Sequence, residues 1–299
     1  MSGRGRGRPQ AGRCGRAKET ISWGAGGTIG PAPEPALRAA VRPPAVAGTF
    51  YPADAPRLAA EVRAHLAAGL ADEGPPPKAL VAPHAGYVYS GPVAGSAFRT
   101  LAPIARRLRR VVLLGPSHFV PLSGLALPAW GGFATPLGTV PVAADAAREL
   151  ADLPQVAIAD RPHAREHSLE VELPFLQTLL GAFELVPLAV GDAEPEAVAA
   201  VLARLWGGEE TLVVVSSDLS HYLDYETARR RDAATSRAIV ALDAGGIGDG
   251  DACGRNPLRG LLVAAARRGL TARAIDTRSS GDTAGPRDAV VGYGAYGFA

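Results

Sequence analysis

The chain has 299 residues, 47% of them hydrophobic and 20% charged, so it can bury a sizeable core and is not disordered as a whole. It has no apolar run long enough to span a membrane, and its basic start lacks the apolar stretch of a secretory signal. The formal charge of +2 is local: without the six basic residues Arg4, Arg6, Arg8, Arg13, Arg16 and Lys18 it falls to −4, which leaves no global footprint for specific nucleic-acid binding.

In chain order, residues 1 to about 40 are rich in Gly, Arg and Pro without apolar periodicity and are expected to be a disordered basic tail, with one folded domain over 41–299. Asp54 can cap a helix near 56–70, where Leu58, Val62, Leu66 and Leu70 recur at helical spacing. Lys78–Ala82 reads as a short buried strand, with a helix expected near 92–101. Val111–Leu114 is a second apolar strand. Leu169–Leu180 is helical, with Pro174 a kink or a boundary. A strand over Leu185–Val190, a helix over Glu196–Trp206 and a strand over Thr211–Val215 follow. Helices near 225–243 and 257–268 and strands near 271–276 and 289–298 complete the chain. Buried strands separated by helices predict a single α/β domain, its largely parallel sheet covered on both faces.

Three strands end alike. Ala79–Ala82 runs through Pro83 into His84, Val111–Leu114 runs through Pro116 into His118, and Thr211–Val215 leads to Asp218 and His221. Ligands of open α/β sheets bind beyond the carboxyl ends of the strands, so three of the six histidines are expected at one rim. Converging imidazoles suit a divalent transition metal or, without one, an acid/base cluster.

His167 and Glu170 are three apart, one helical face, and read as a rim histidine with its orienting carboxylate. Glu172 falls on another face and is expected to be solvated. Cys253 precedes a helix, where a thiol is acidified and ligates or attacks more readily; a buried inert cysteine is the equal alternative. Arg255 reads equally as an anion holder or a surface pair. His65 is assigned to surface or packing, and His163 to a solvated loop. Two cysteines, Cys14 and Cys253, make no disulfide framework and fit a reducing, cytoplasmic setting.

Ala45–Pro52, Ala82–Tyr87, Leu114–His118, Glu166–Glu170, Ser216–His221 and Cys253–Pro257 together resemble the Memo-like family, which includes the prokaryotic AmmeMemoRadiSam system protein B. The motifs stand in family order from about residue 42 to the end. The resemblance implies a fold like that of the class III extradiol dioxygenases (LigB-like), which hold non-haem Fe(II) with two histidines and a glutamate. Carried over, the metal ligands are His84, His118 and Cys253, and His167, Asp218 and His221 line the pocket as catalytic candidates. It implies Fe(II), with zinc or copper as other candidates, a small molecule or peptide in the pocket, and radical-SAM or AMMECR-like partner proteins. Phe119 and Asn256 replace histidines frequent in the family. Three functions follow: a non-haem iron oxidoreductase, a non-catalytic metal-sensing or partner-binding protein, and a metal-dependent hydrolase with Asp218 or Glu170 as base.

Overall fold

A computed structural model describes residues 38–299. The expected basic tail lies outside the described residues except for its last three, which belong to a strand. The elements are β1 (Arg38–Arg42), α1 (Ala55–Ala68), β2 (Ala79–Ala82), α2 (Tyr87–Arg99), β3 (Arg110–Pro116), β4 (Leu125–Leu127), β5 (Trp130–Thr135) and β6 (Gly138–Pro141). They continue with α3 (Ala146–Glu149), β7 (Val156–Ile158), α4 (Arg161–Ala164), α5 (Leu173–Leu180), β8 (Glu184–Val190), α6 (Pro195–Leu205) and β9 (Thr211–Ser216). The chain closes with β10 (His221–Leu223), α7 (Tyr225–Val240), α8 (Arg255–Arg267), β11 (Ala272–Ser279), α9 (Ser280–Thr283) and β12 (Val290–Phe298).

The sheet runs β10-β12-β2-β9-β3-β8-β4-β7, with β11 on β12. Its centre, β2-β9-β3-β8, is parallel, while β12 joins β2 and β4 joins β8 antiparallel. Central strands read as unbroken apolar runs because both faces are covered. Leu80, Ala82, Val111, Leu113, Leu212 and Val214 pack into a core with α1, α2 and α5. Their alternating neighbours Ala79, Val81, Val112, Leu114, Val213 and Val215 pack into a second core with α3, α6 and α8. A smaller sheet, β1-β5-β6, stands beside the large one.

α1 starts where expected because Asp54 accepts the Arg57 N–H at 3.0 Å and Pro56 occupies the first turn. α2 starts five residues earlier than expected, at Tyr87, and carries Pro92 inside it. The buried Tyr87 ring, packed on Tyr51 and Phe175, draws those residues into the helix. The two helices touch backbone to backbone: a Cβ on Gly95 would stand 2.3 Å from the His65 carbonyl oxygen. His65 therefore packs between helices, beside Tyr87 and Phe175. Pro174 is a boundary, with a 3₁₀ turn over Glu170–Glu172 before α5. No helix of the described residues is long and apolar enough to cross a membrane.

Candidate metal centre

Adjacent parallel strands place equivalent chain positions side by side. Ala82 pairs with Ser216 and Leu114 with Val215, so β2, β9 and β3 end at one rim. His84, Asp218 and His118 each follow two residues after the end of their strand. The ligand atoms of His84, His118 and His167 lie within 4.8 Å of one another. The His118 and His167 rings stack with centroids 4.8 Å apart, and His84 stands edge-on to both.

Cys253, from the loop before α8, approaches His84 but does not belong to the group of three mutually close imidazoles. Its Sγ is 3.2 Å from His84 Nε2 and accepts the Asp218 N–H at 3.3 Å. Gly254 permits this approach: its N–H donates to Ser217 Oγ at 2.9 Å, and a Cβ there would stand 2.6 Å from Ser217 Cβ. The helix start does not acidify the thiol, one of the two readings that the local sequence left open. Burial and the neighbouring Asp218 push it far above the usual cysteine range.

Nδ1 of His84 and of His118 is already engaged by a hydrogen bond. His84 Nδ1 meets Ser216 Oγ at 2.7 Å. His118 Nδ1 lies 2.9 Å and His167 Nδ1 3.3 Å from Glu166 Oε1. That leaves Nε2 of His84 and of His118 as the nitrogen with a free lone pair. Burial, and then the other imidazoles, hold His84 far below the usual histidine range. Burial lowers His167 to about 4 against the opposing pull of Glu166. Both are thus neutral at pH 7, as metal ligation requires.

Glu166 is the residue that sequence reasoning passed over. It is buried and accepts the backbone N–H groups of His118, His167 and Ser168 at 2.6, 3.0 and 3.0 Å. Burial alone would raise its carboxyl, but the His118 ring and these N–H donors outweigh that and hold it at about 2. The only sequence signal was its place directly before His167 in the motif.

The carboxylate assigned to His167 from helical spacing, Glu170, is spent elsewhere. It takes Arg42 Nη1 at 2.6 Å, the Tyr51 hydroxyl at 2.5 Å and the N–H groups of Ala45 and Val46. The segment over 166–169 is not helical, so spacing three did not place the two side chains together. Glu172 is fully buried rather than solvated, with Oε1 2.8 Å from Ser216 Oγ. His163 is also buried, held by Ala126 O at 3.0 Å.

Asp218 does not lean on His221. Its Oδ1 accepts the His84 N–H at 2.8 Å, fixing the loop that carries that ligand, and burial raises its carboxyl to about 7. His221 Nδ1 bonds the Leu219 carbonyl at 2.9 Å, and His221 is lowered by burial and then by His118. Phe119 is half exposed and edges against His167. Asn256 donates to the Gly191 carbonyl, and Arg255 pairs with Asp249, the surface alternative of its two readings.

The residues fit a metal ion. Three imidazoles converge, with the Cys253 thiol 3.2 Å from one of them, a nitrogen and sulfur donor set that suits a transition metal. The description "Memo-like protein" matches residues 42–296. Proteins named as MEMO1 family members are similar: that of Sulfolobus acidocaldarius is 34% identical, covering 72% of this chain and 80% of its own. That of Aeropyrum pernix is 36% identical, covering 73% and 82%. Among solved structures, an uncharacterized protein of Escherichia coli K12 shares the fold, with TM-score 0.50 at 14% identity over 73% of this chain and 98% of that one. With the match running through nearly all of the folded residues, the chain belongs to the Memo-like family.

Proposed function

We propose that this protein binds one divalent transition metal through His84, His118 and Cys253, with His167 beside them handling protons, and that the metal is Fe(II). The observation that carries the reading is the approach of His84 and His118, whose Nδ1 atoms are held by Ser216 and Glu166 so that Nε2 remains for a ligand, with Cys253 Sγ 3.2 Å from His84 Nε2. Orienting partners of this kind fix the tautomer and raise ligand basicity. A mixed imidazole and thiolate set suits iron, zinc or copper rather than magnesium or calcium. When bound, the metal supplies Lewis acidity and one-electron redox chemistry.

The chain's own residues set the rest. His167 stays neutral to about pH 4 and can accept a proton from a bound molecule. Asp218, raised to about 7, is poised to exchange one near neutrality. Exposed Phe119 beside His118 and His167, and exposed Tyr222 beside His221, favour an occupant with an apolar face, a small molecule or a peptide segment. Anaerobic purification followed by metal analysis tests the reading. Stoichiometric iron with oxygen uptake on a catechol supports it; stoichiometric zinc with ester or amide hydrolysis replaces it with a hydrolase.

A further inference from the structure

Ser216 Oγ has three close partners in a fully buried place: Ser168 O at 2.6 Å, His84 Nδ1 at 2.7 Å and Glu172 Oε1 at 2.8 Å. A hydroxyl owns one hydrogen and two lone pairs. The Ser168 carbonyl can only accept, so the serine hydrogen belongs to that contact, the shortest of the three. The other two contacts then fall on lone pairs, and each needs a hydrogen from the opposite side. At His84 it is the ring Nδ1–H. At Glu172 its only source is the carboxyl group itself.

Ionised Glu172 would demand a different arrangement. The serine hydrogen would turn to Glu172, and two oxygens 2.6 Å apart, Ser216 Oγ and Ser168 O, would face each other with no hydrogen between them. Glu172 Oε2 points the same way: it is buried and has no hydrogen-bond partner among the described residues. A charged oxygen so placed would be costly, whereas the carbonyl oxygen of a neutral acid tolerates it better. Burial, and the nearby Asp218, also raise the Glu172 carboxyl well above the usual carboxylate range.

We propose that Glu172 is a buried neutral carboxylic acid whose O–H donates to Ser216, holding His84 as its Nδ1–H tautomer with the Nε2 lone pair turned toward Cys253. Glu172 touches no proposed ligand and acts through Ser216, so it is a positioning residue. Its importance for metal binding rests on the function proposed above; its protonation does not.

The test uses the metal-free full-length protein at neutral pH. Infrared difference spectra with 13C-labelled glutamate are expected to show a protonated carboxyl band that Glu172→Gln removes. Nitrogen NMR of the His84 ring is expected to show Nδ1–H in the wild type and in Glu172→Gln, whose amide still donates to Ser216. Ser216→Ala is expected to mix the tautomers and to weaken zinc binding, measured by titration, by about 10–100-fold, the usual cost of losing an orienting partner. Glu172→Gln should stay within about threefold of the wild type in the same titration, far short of that cost. The proposal is overturned if no such band disappears, or if wild-type His84 carries its hydrogen on Nε2. If both spectra come out as expected and the wild type binds no zinc, the Glu172 assignment stands and the metal reading falls.

Discussion

Glu166 grips His118 twice: one carboxylate oxygen takes the His118 backbone N–H at 2.6 Å and the other takes its ring Nδ1 at 2.9 Å. Backbone and ring are fixed by one charged group, so neither the loop nor the imidazole can turn alone. The same carboxylate also holds the two N–H groups that follow it, at His167 and Ser168. One buried acid thereby ties the end of β3 to the segment that supplies His167.

The grip gives a sharp expectation for Glu166→Gln. A glutamine presents one accepting oxygen and an NH₂ that faces other N–H donors. Metal affinity should fall by about 10–100-fold, as for other losses of an orienting partner. Glu170→Gln, which leaves the histidine contacts in place, should lower stability while sparing affinity per folded molecule. Equal affinity losses in the two variants would remove Glu166 from its role.

His84→Ala and His118→Ala should each cost more metal affinity than the ~10–100-fold of an orienting residue. Cys253→Ser should do the same, while His167→Ala should leave metal stoichiometry near that of the wild type and impair turnover. Metal analysis of the four variants after dialysis decides it. If His167→Ala loses metal and Cys253→Ser keeps it, the third ligand is His167.

Arg42 is wholly buried against Glu170 and also donates to the carbonyls of His163 at 2.7 Å and Glu166 at 2.5 Å. Removing one partner of a buried pair strands the other. Arg42→Met should therefore destabilise the protein by about 3–5 kcal/mol, read by urea unfolding. A loss under about 1 kcal/mol, the size of a surface pair, would mean that the site relaxes or admits water.

His163 sets a pH dependence. Burial lowers it from 6.5 to about 4, so the unfolded chain takes up a proton there at higher pH than the folded one. The unfolded state binds more protons between those values, and stability therefore falls as pH drops through that window. In metal-free protein, His163→Gln should flatten the decline by up to one proton, about 1.4 kcal/mol per pH unit. Unfolding curves from pH 7 to 4.5 with the wild-type slope unchanged in the variant would contradict this.

The parallel centre of the sheet was legible because strands buried on both faces write themselves as apolar runs, and Val111–Leu114 and Thr211–Val215 are such runs. The rim was legible for a related reason: neighbouring parallel strands end together, so His84, His118 and Asp218 could be placed without knowing any contact. The stretch from β4 to β7 stayed unread. Its strands have three to six residues and its one helix, α3, has four, too short for a period to accumulate.

Local sequence determined the apolar strands, the capped first helix and the histidines at the strand ends, since each depends on residues adjacent in the chain. It could not say which acid serves which partner. Glu166, Glu170 and Glu172 look alike within seven residues, yet one orients His118, one neutralises Arg42 and one lies buried against Ser216. Those fates follow from partners 44 to 128 residues away. Burial, and the hydrogen-bond donors that offset its cost, exist only once the strands have come together, so the tertiary structure alone decided them.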